Sequence, residues 1–434
     1  MSGRHNLRAV LGNSTWLFMD KILRMGFALV IGVWVARYLG PERFGLLNYT
    51  IAYASLFGAI AALGLDGIVI RELVTYREKS DVILGSAFAL KVIGSSITFV
   101  IAVATIAVLR RGETLTLWLV ALAAGAFVFQ SLNVIDLVFQ SRVQSQYTVY
   151  ATNGAFLLMS LTKIVLLLVA APLIAFGWTG LGEAALAAVF LMIAYRAKSM
   201  TIWKWRASLP VMRNLLKASW PLMLSGISIS IATRIDQVLI GQMLNDRQVG
   251  LYSVAARVAE IWYFIPIGIA GSAFPLLIES KKQSEELYYQ RLQKLYTPLV
   301  LLAIAVSLAM TFLSTHVIRL LYGATYAGSA RVLTILIWSG VPISFGCIWS
   351  NWMLIENRTK MMFFFQVNAA IVNIILNIIL IPRFGIMGSA YATLISYSVG
   401  HTILAAVLKS QHKALAMLGK AVFPFWSFFQ TNSK

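Results

Sequence analysis

Long apolar segments recur along the whole chain, and they constrain its fold more than any other feature. A helix needs about 20 apolar residues to cross roughly 30 Å of hydrocarbon. Hydrophobic residues make up 59% of the sequence and charged residues 12%, whereas soluble domains are about 45–50% apolar and about 25% charged. Barrel strands would be short and alternating. We therefore predict an all-α polytopic membrane protein.

Apolar windows bounded by charges and turn residues predict twelve transmembrane helices. Their limits are residues 14–38, 44–64, 83–109, 115–137, 148–170, 172–195, 219–243, 249–278, 295–316, 328–355, 361–381 and 384–408. The aromatic segment 421–430 is short and contains Pro424. These properties favour an interfacial segment over a thirteenth span.

Lysine and arginine are divided unevenly between the two sides of the predicted helices. The side that holds the N-terminus has 22 of them outside the spans, and the opposite side has seven. Because basic loops remain in the cytoplasm, both termini are predicted to be cytoplasmic. The net charge of +20 therefore reflects membrane orientation, and nucleic acid is not predicted as a partner.

The two halves of the chain resemble each other. Trp16 precedes Gly45 at nearly the same spacing as Trp220 precedes Gly250. A duplicated six-helix unit, with substrate handled between the copies, is typical of transporters. The predicted domains are an N-terminal six-helix lobe (1–198), a basic cytoplasmic linker (199–217), a C-terminal six-helix lobe (218–408) and a cytoplasmic or interfacial tail (409–434).

Charged residues interrupt the predicted spans, where each costs a few kcal/mol unless it faces protein or water. The basic ones are Lys21, Arg24, Arg37, Lys91, Lys163, Arg234 and Arg257, and the acidic ones are Asp20, Asp136, Glu183, Asp236 and Glu260. Arg37 and Asp136 lie near span ends, where long side chains can reach the interface. The surplus of positive charge suits an anionic substrate such as a diphosphate.

The same charges have a second interpretation, in which ion pairs hold the helices together. Asp20 and Arg24 are four residues apart, and Arg257 and Glu260 are three apart. Both spacings place the two partners on one helical face. The charge pattern alone leaves both interpretations open.

Several kinds of chemistry are not predicted. The sequence contains no GxxxxGK[ST] loop of the kind that cradles ATP phosphates. Cys347 is its single cysteine, which leaves no disulfide framework or cysteine-based metal site. The predicted outer loops are short, which argues against a polymerase or glycosyltransferase with an external catalytic domain. No cofactor is therefore predicted.

Six motifs carry a family resemblance. They are VARYLGPERFGLLNY (35–49), LGLDGIVIREL (63–73), RIDQVLIGQML (234–244), VGLYSVAARVAEIWYFIP (249–266), YGATYAGSARVLTILI (322–337) and FGIMGSAYATLIS (384–396). In this order they resemble the polysaccharide transport family, the O-antigen and capsule repeat-unit flippases. That family belongs to the multidrug/oligosaccharidyl-lipid/polysaccharide exporter superfamily.

The resemblance implies a V-shaped pair of six-helix lobes that works by alternating access. The implied substrate is an undecaprenyl-pyrophosphate-linked oligosaccharide, moved to the outer leaflet of a bacterial or archaeal cytoplasmic (inner) membrane for O-antigen, capsule or exopolysaccharide synthesis. The implied partners are this glycolipid, membrane lipids and a polysaccharide polymerase complex. A coupling proton or sodium ion is implied in place of a cofactor.

The intramembrane charges then receive predicted roles. Arg24 and Arg234, on the first and seventh predicted helices, are predicted to contact the diphosphate from opposite lobes. Lys21, Lys91, Lys163 and Arg257 are further cationic candidates, and Asp20, Glu183, Asp236 and Glu260 are candidates for cation coupling. Sugar recognition is predicted for Trp118, Gln130, Trp349, Trp352 and Asn368.

Other functions remain open at this point. A lipid-linked peptidoglycan-precursor flippase is disfavoured by twelve rather than fourteen predicted spans. A small-molecule extruder of the same superfamily is disfavoured by the surplus of positive charge, and a polymerase by the short loops. No sequence feature excludes a non-transporting scaffold of polysaccharide assembly.

Overall fold

A computed structural model describes the backbone of residues 2–400, and the side chains of residues 24–358 and 360–400. Every regular element in this part of the chain is helical. This finding confirms the prediction of an all-α protein. The chain divides into two compact units, Met1–Arg234 and Ile235–Lys434.

The first unit packs its helices around one apolar core. In chain order its helices are α1 (Ser2–Leu56), α2 (Gly58–Ala62), α3 (Asp66–Thr75), α4 (Ser80–Leu109), α5 (Thr114–Gln130), α6 (Val134–Ser141), α7 (Gln146–Leu168), α8 (Leu173–Ala197) and the first part of α9 (Leu209–Met243). Helix α8 packs on α5 and α7, and α4 packs on α2 and α5. Leu65, Val69 and Phe139 are fully buried beside the contact between α3 and α6.

Helix α1 contains the first predicted span and the first part of the second, which continues into α2. Its helical geometry is interrupted at Gly40, where φ is 70° and ψ is 171°, immediately before Pro41. This backbone conformation is open almost only to glycine. The break therefore lies at the turn that the sequence predicts, with the segments 14–38 and 44–64 on its two sides.

The second unit has its own helices and its own core. Besides the end of α9, its described helices are α10 (Asp246–Gln283), α11 (Glu285–Tyr322), α12 (Gly328–Leu336), α13 (Gly340–Ile355), α14 (Thr359–Phe384) and α15 (Ile386–Ser398). Helix α10 packs on α11, α12 and α13, and α14 packs on α15. The rings of Trp349 and Phe365 lie 4.5 Å apart between centroids in this core.

The helices have the length and composition of membrane spans. Among the described residues, nine qualify, or ten if the pair Arg24–Leu56 and Gly58–Thr75, bent by 44°, forms one span. The chain is therefore a multi-pass membrane protein, but the predicted number of twelve is not confirmed. Two predicted spans share α1, and the last, 384–408, is described only as far as residue 400. The predicted tail 409–434 lies outside the described residues.

Gly388 allows α15 to pack closely against the end of α14. A Cβ atom at Gly388 would overlap the backbone carbonyl of Leu380. We expect Gly388→Ala to lower the melting temperature by roughly 5–10 °C, because overpacking costs about 1–3 kcal/mol. The control is Gly271→Ala on α10, where an added Cβ has nothing within 4 Å. Equal melting temperatures for the two variants in detergent would contradict this account.

Candidate functional site

Three predicted site residues meet in the first unit: Arg24 of α1, Lys163 of α7 and Glu183 of α8. The Arg24 guanidinium lies 3.9 Å from one carboxylate oxygen of Glu183, and the Lys163 ammonium lies 3.9 Å from the other. All three side chains are partly buried, with 25–29% of their surface exposed. One carboxylate is therefore shared by two cations at membrane depth.

Neutral groups also orient the guanidinium of Arg24. Its Nε donates a hydrogen bond of 3.0 Å to Asn153 Oδ1. Its central carbon lies 5.3 Å from the centroid of the Phe156 ring. Asn153 and Phe156 both belong to α7. A guanidinium held in this way has a fixed plane, and a fixed plane suits bidentate binding of phosphate oxygens.

Lys91 of α4 is bound to an acid that the sequence analysis did not select. Its ammonium donates a hydrogen bond of 2.5 Å to Asp66 Oδ1, at the start of α3. The Lys91 side chain is 7% exposed, whereas that of Asp66 is 60% exposed. The positive charge of Lys91 is therefore balanced at short range by Asp66.

A cavity of about 470 Å³ opens beside this ion pair, and we call it the α3–α6 cavity. Besides Lys91 and Asp66, its polar lining consists of Gln130, Ser131, Asn133, Asp136 and Gln140. The Asp136 carboxylate accepts hydrogen bonds from Gln140 at 2.8 Å and from Thr148 at 2.7 Å. Asp136 is thus held inside the first unit, although the sequence suggested a side chain reaching the membrane interface.

Asp236, a predicted coupling residue, lies in a polar cluster of the second unit. Its side chain is buried, with 4% of the residue exposed. Tyr252 and Thr393 donate hydrogen bonds to Oδ2 at 2.7 and 2.5 Å, and Asn377 donates one to Oδ1 at 2.8 Å. The cluster therefore joins α9, α10, α14 and α15 around one carboxylate.

The amide oxygen of Asn377 adds a free acceptor to this cluster. Asn377 is fully buried, and its Oδ1 has no hydrogen-bond partner among the described residues. Buried polar atoms usually have a partner. A carboxylate, an amide oxygen and hydroxyl oxygens are ligands that suit a small hard cation. The residues present therefore fit a monovalent cation or a proton on Asp236.

The remaining predicted residues are not brought into these clusters. Arg234 is partly buried on α9, Arg257 is partly buried on α10, and Glu260 is exposed on α10. Arg257 forms no ion pair with any described residue. The side chains of Asp20 and Lys21 lie outside the described residues.

The residues predicted for sugar recognition fall into different environments. Trp349 and Trp352 are 1% and 5% exposed and pack in the core of the second unit. Trp118 is 59% exposed, and Asn368 donates a hydrogen bond to the Phe364 carbonyl within its own helix. Gln130 alone among the five lines a described cavity.

Sequence reasoning missed most of the partners of the charged residues at these clusters. Asp66, Tyr252 and Thr393 stand inside quoted motifs, but the motifs alone do not say which charge each side chain contacts. Asn373 and Asn377 offered a usable signal, because two asparagines one helical turn apart in an apolar span share a face. Asn153 gave no such signal.

Comparison with known families and proteins bears on the whole chain. The profile of a family described as "Polysaccharide biosynthesis protein" matches residues 10–281, and a profile described as MatE matches residues 221–379. "Probable flippase AglR" of Haloferax volcanii is 24% identical in an alignment of 407 residues that covers 87% of this chain and 79% of that protein.

A second relative and a solved structure extend this comparison. "Probable low-salt glycan biosynthesis flippase Agl15" of Haloferax volcanii is 26% identical over 226 residues, which are 52% of this chain and 48% of that protein. The match therefore spans about half the length of this relative. The structure described as "Lipid II flippase MurJ, inward closed conformation" aligns with a TM-score of 0.69 at 17% identity, covering 98% of this chain and 93% of that one. At this identity the alignment shows a shared fold.

Proposed function

Because this chain belongs to the polysaccharide biosynthesis protein family of the multidrug/oligosaccharidyl-lipid/polysaccharide exporter superfamily, we propose that it is a flippase for lipid-linked oligosaccharides. The observation that carries the proposal is the family match over residues 10–281. That match includes the α1, α7 and α8 residues that meet at Glu183. The names of the relatives AglR and Agl15 support the same activity.

The proposed substrate is an oligosaccharide linked to undecaprenyl pyrophosphate, moved from the cytoplasmic to the outer leaflet by alternating access. Arg24 binds the diphosphate, with Lys163 beside it and Glu183 holding both cations in place. The secondary candidates for binding the diphosphate are Arg234, Arg257, Lys21 and Lys91. Lys91 ranks below the other three, because its ammonium already donates a hydrogen bond to Asp66. Movement of an anion out of a negative cytoplasm is favourable by roughly 2.3 kcal/mol per charge per 100 mV of membrane potential.

The coupling ion is proposed to bind at Asp236 rather than at Asp20, Glu183 or Glu260. Glu183 is already shared by two cations, and Glu260 is exposed. Asp236 combines a buried carboxylate with the free amide oxygen of Asn377. Uptake of a proton or a sodium ion there neutralises a buried negative charge. Ion binding and the conformation of the second unit therefore depend on each other.

The sidedness of lipid-linked repeat units tests the proposed function. In cells that lack this protein, we expect the units to accumulate and to be protected in spheroplasts from an impermeant glycosidase or lectin. Re-expression should expose them. Units that accumulate already exposed would contradict flipping and favour a polymerase or scaffold. Unchanged units, together with new sensitivity to small toxic compounds, would favour an extruder.

A further inference from the structure

The α3–α6 cavity has a charge that does not suit the diphosphate. Its lining contains the carboxylates of Asp66 and Asp136 and the single ammonium of Lys91. The lining therefore holds two carboxyl groups and one ammonium. This composition disfavours an anion and favours a ligand without negative charge.

A 3₁₀ turn and a break in helical backbone border the same cavity. Helix α5 passes into α6 through a 3₁₀ turn, Ser131–Asn133, inside one membrane span. Helix α2 passes into α3 through Leu63 and Gly64, which have φ of 53° and 63°. Irregular backbone at membrane depth occurs where it lines a cavity or is covered by protein. Discontinuous helices of this kind mark binding sites in transporters.

Part of the polar lining is available to a ligand. Gln130 and Asn133 line the cavity, and their side chains form no hydrogen bond with any described group. Each carboxamide offers two donors and one acceptor oxygen. Asp66 offers further acceptor capacity, since most of its side chain is exposed. An ion pair that only tied α3 to α4 would need neither the cavity nor these amides.

The cavity also has an apolar wall and a suitable size. The ring of Phe127 is part of its lining. A pyranose presents hydroxyl groups, which both donate and accept hydrogen bonds, and an apolar C–H face that packs on an aromatic ring. The volume of about 470 Å³ lies within the range of about 300–1,000 Å³ that is common for small-molecule sites.

We propose that the α3–α6 cavity binds an uncharged sugar residue of the transported glycolipid, separately from the diphosphate at Arg24. The proposal rests on the proposed function for the source of the sugar. Gln130 and Asn133 bind hydroxyl groups, and the carboxylates of Asp66 and Asp136 accept hydrogen bonds from others. Lys91 holds Asp66 in place. The cavity thereby makes the protein select glycans by their sugar and disfavour an acidic sugar at this position.

Binding of soluble glycosides to the purified full-length protein tests the site. The probes are methyl glycosides of neutral hexoses and of N-acetylhexosamines, with methyl glucuronide and inorganic diphosphate as anionic probes, followed by saturation-transfer NMR. We expect at least one neutral glycoside to bind at millimolar concentration and methyl glucuronide to bind about ten-fold more weakly, a difference of about 1.4 kcal/mol. Diphosphate should not compete. Absence of binding by every neutral glycoside would overturn the proposal.

A variant that fills the cavity with a side chain tests whether the glycoside binds there. Gly67 on α3 lines the cavity, and a Cβ there has nothing within 4 Å, so Gly67→Leu places a side chain in the space from an open position. We expect this variant to lose glycoside binding. Gly271→Leu, at an equally open helical position on α10, should bind as wild type does. Retained binding by a folded Gly67→Leu would overturn the proposal.

A milder change separates lost recognition from lost folding. Gln130→Leu keeps most of the volume and removes the hydrogen-bonding groups, so we expect glycoside binding to weaken by about ten-fold. Wild-type affinity in this variant would contradict the assignment of Gln130.

Transport by the same proteins separates this proposal from the proposed function. In proteoliposomes, Gly67→Leu should flip the glycan-bearing lipid more slowly and Gly271→Leu should flip it as wild type does. If wild type flips the lipid but Gly67→Leu still binds glycosides, the sugar site is wrong and the flippase stands. If wild type binds glycosides at this cavity but flips nothing, the flippase is wrong and the sugar site stands.

Discussion

Replacing Arg24 by alanine should slow the flipping of lipid-linked oligosaccharide by about ten- to a hundred-fold, because hydrogen bonds to charged groups contribute about 1.5–3 kcal/mol. The reason is the fixed position of the guanidinium. Asn153 accepts a hydrogen bond from its Nε, its central carbon lies over the Phe156 ring, and Glu183 lies 3.9 Å away. Alanine removes the guanidinium that is proposed to bind the diphosphate and leaves Asn153, Phe156 and Glu183 without their partner.

The measurement is initial flipping rate in proteoliposomes, at equal amounts of folded protein. Arg24→Lys separates the effect of geometry from that of charge. Lysine keeps the positive charge but lacks the planar guanidinium, so we expect an intermediate flipping rate. The control is Arg71→Ala, since Arg71 is 61% exposed and its guanidinium pairs with the adjacent Glu72. A rate for Arg24→Ala equal to that of the control would remove Arg24 from the diphosphate site.

The fold was largely predictable, because the length of each apolar segment can be read directly from the sequence. The limits of α4, α7 and α14 agree with predicted spans 83–109, 148–170 and 361–381 within a few residues. The break at Gly40 was also predictable, since glycine followed by proline is a local signal for a turn. The predicted number of twelve spans is not confirmed, because the first two predicted spans meet at a break inside α1 and the second continues into α2.

The candidate site was less predictable, because ion pairs depend on contacts between helices distant in sequence. Lys91 pairs with Asp66, which lies outside every predicted span and was therefore not counted among the membrane charges. Leaving out Asp66 exaggerated the surplus of positive charge. Glu183 was selected as a coupling acid, and only the packing of α1, α7 and α8 shows that it contacts two cations.

Burial likewise separated residues that looked alike in sequence. Trp349 and Gln130 were both plausible sugar ligands, but Trp349 packs inside the second unit whereas Gln130 lines a cavity. An aromatic residue in a span has the same local pattern whether it faces lipid, core or ligand. The distinction needs the neighbouring helices, which a single sequence does not supply.

Asp236 gives the second large expected effect. Asp236→Asn keeps the size of the side chain and removes its charge, so we expect flipping to lose its response to the coupling ion gradient. Coupling between sites is worth about 1–3 kcal/mol, which corresponds to a change of about five- to 150-fold in rate between imposed and collapsed gradients. The four helices that meet at this carboxylate explain how an ion there can influence the whole second unit.

Sodium and proton gradients imposed separately across proteoliposomes measure this effect and identify the ion. Wild type should respond to one gradient, and Asp236→Asn to neither. Glu279→Gln, an exposed acid on α10 of the same unit, is the matched control and should respond as wild type does. Thr393→Val removes one hydrogen bond but keeps the carboxylate, so its response should persist and require a higher ion concentration. If flipping by the Asp236→Asn protein still responds to the gradient, the cluster serves only to hold α9, α10, α14 and α15 together.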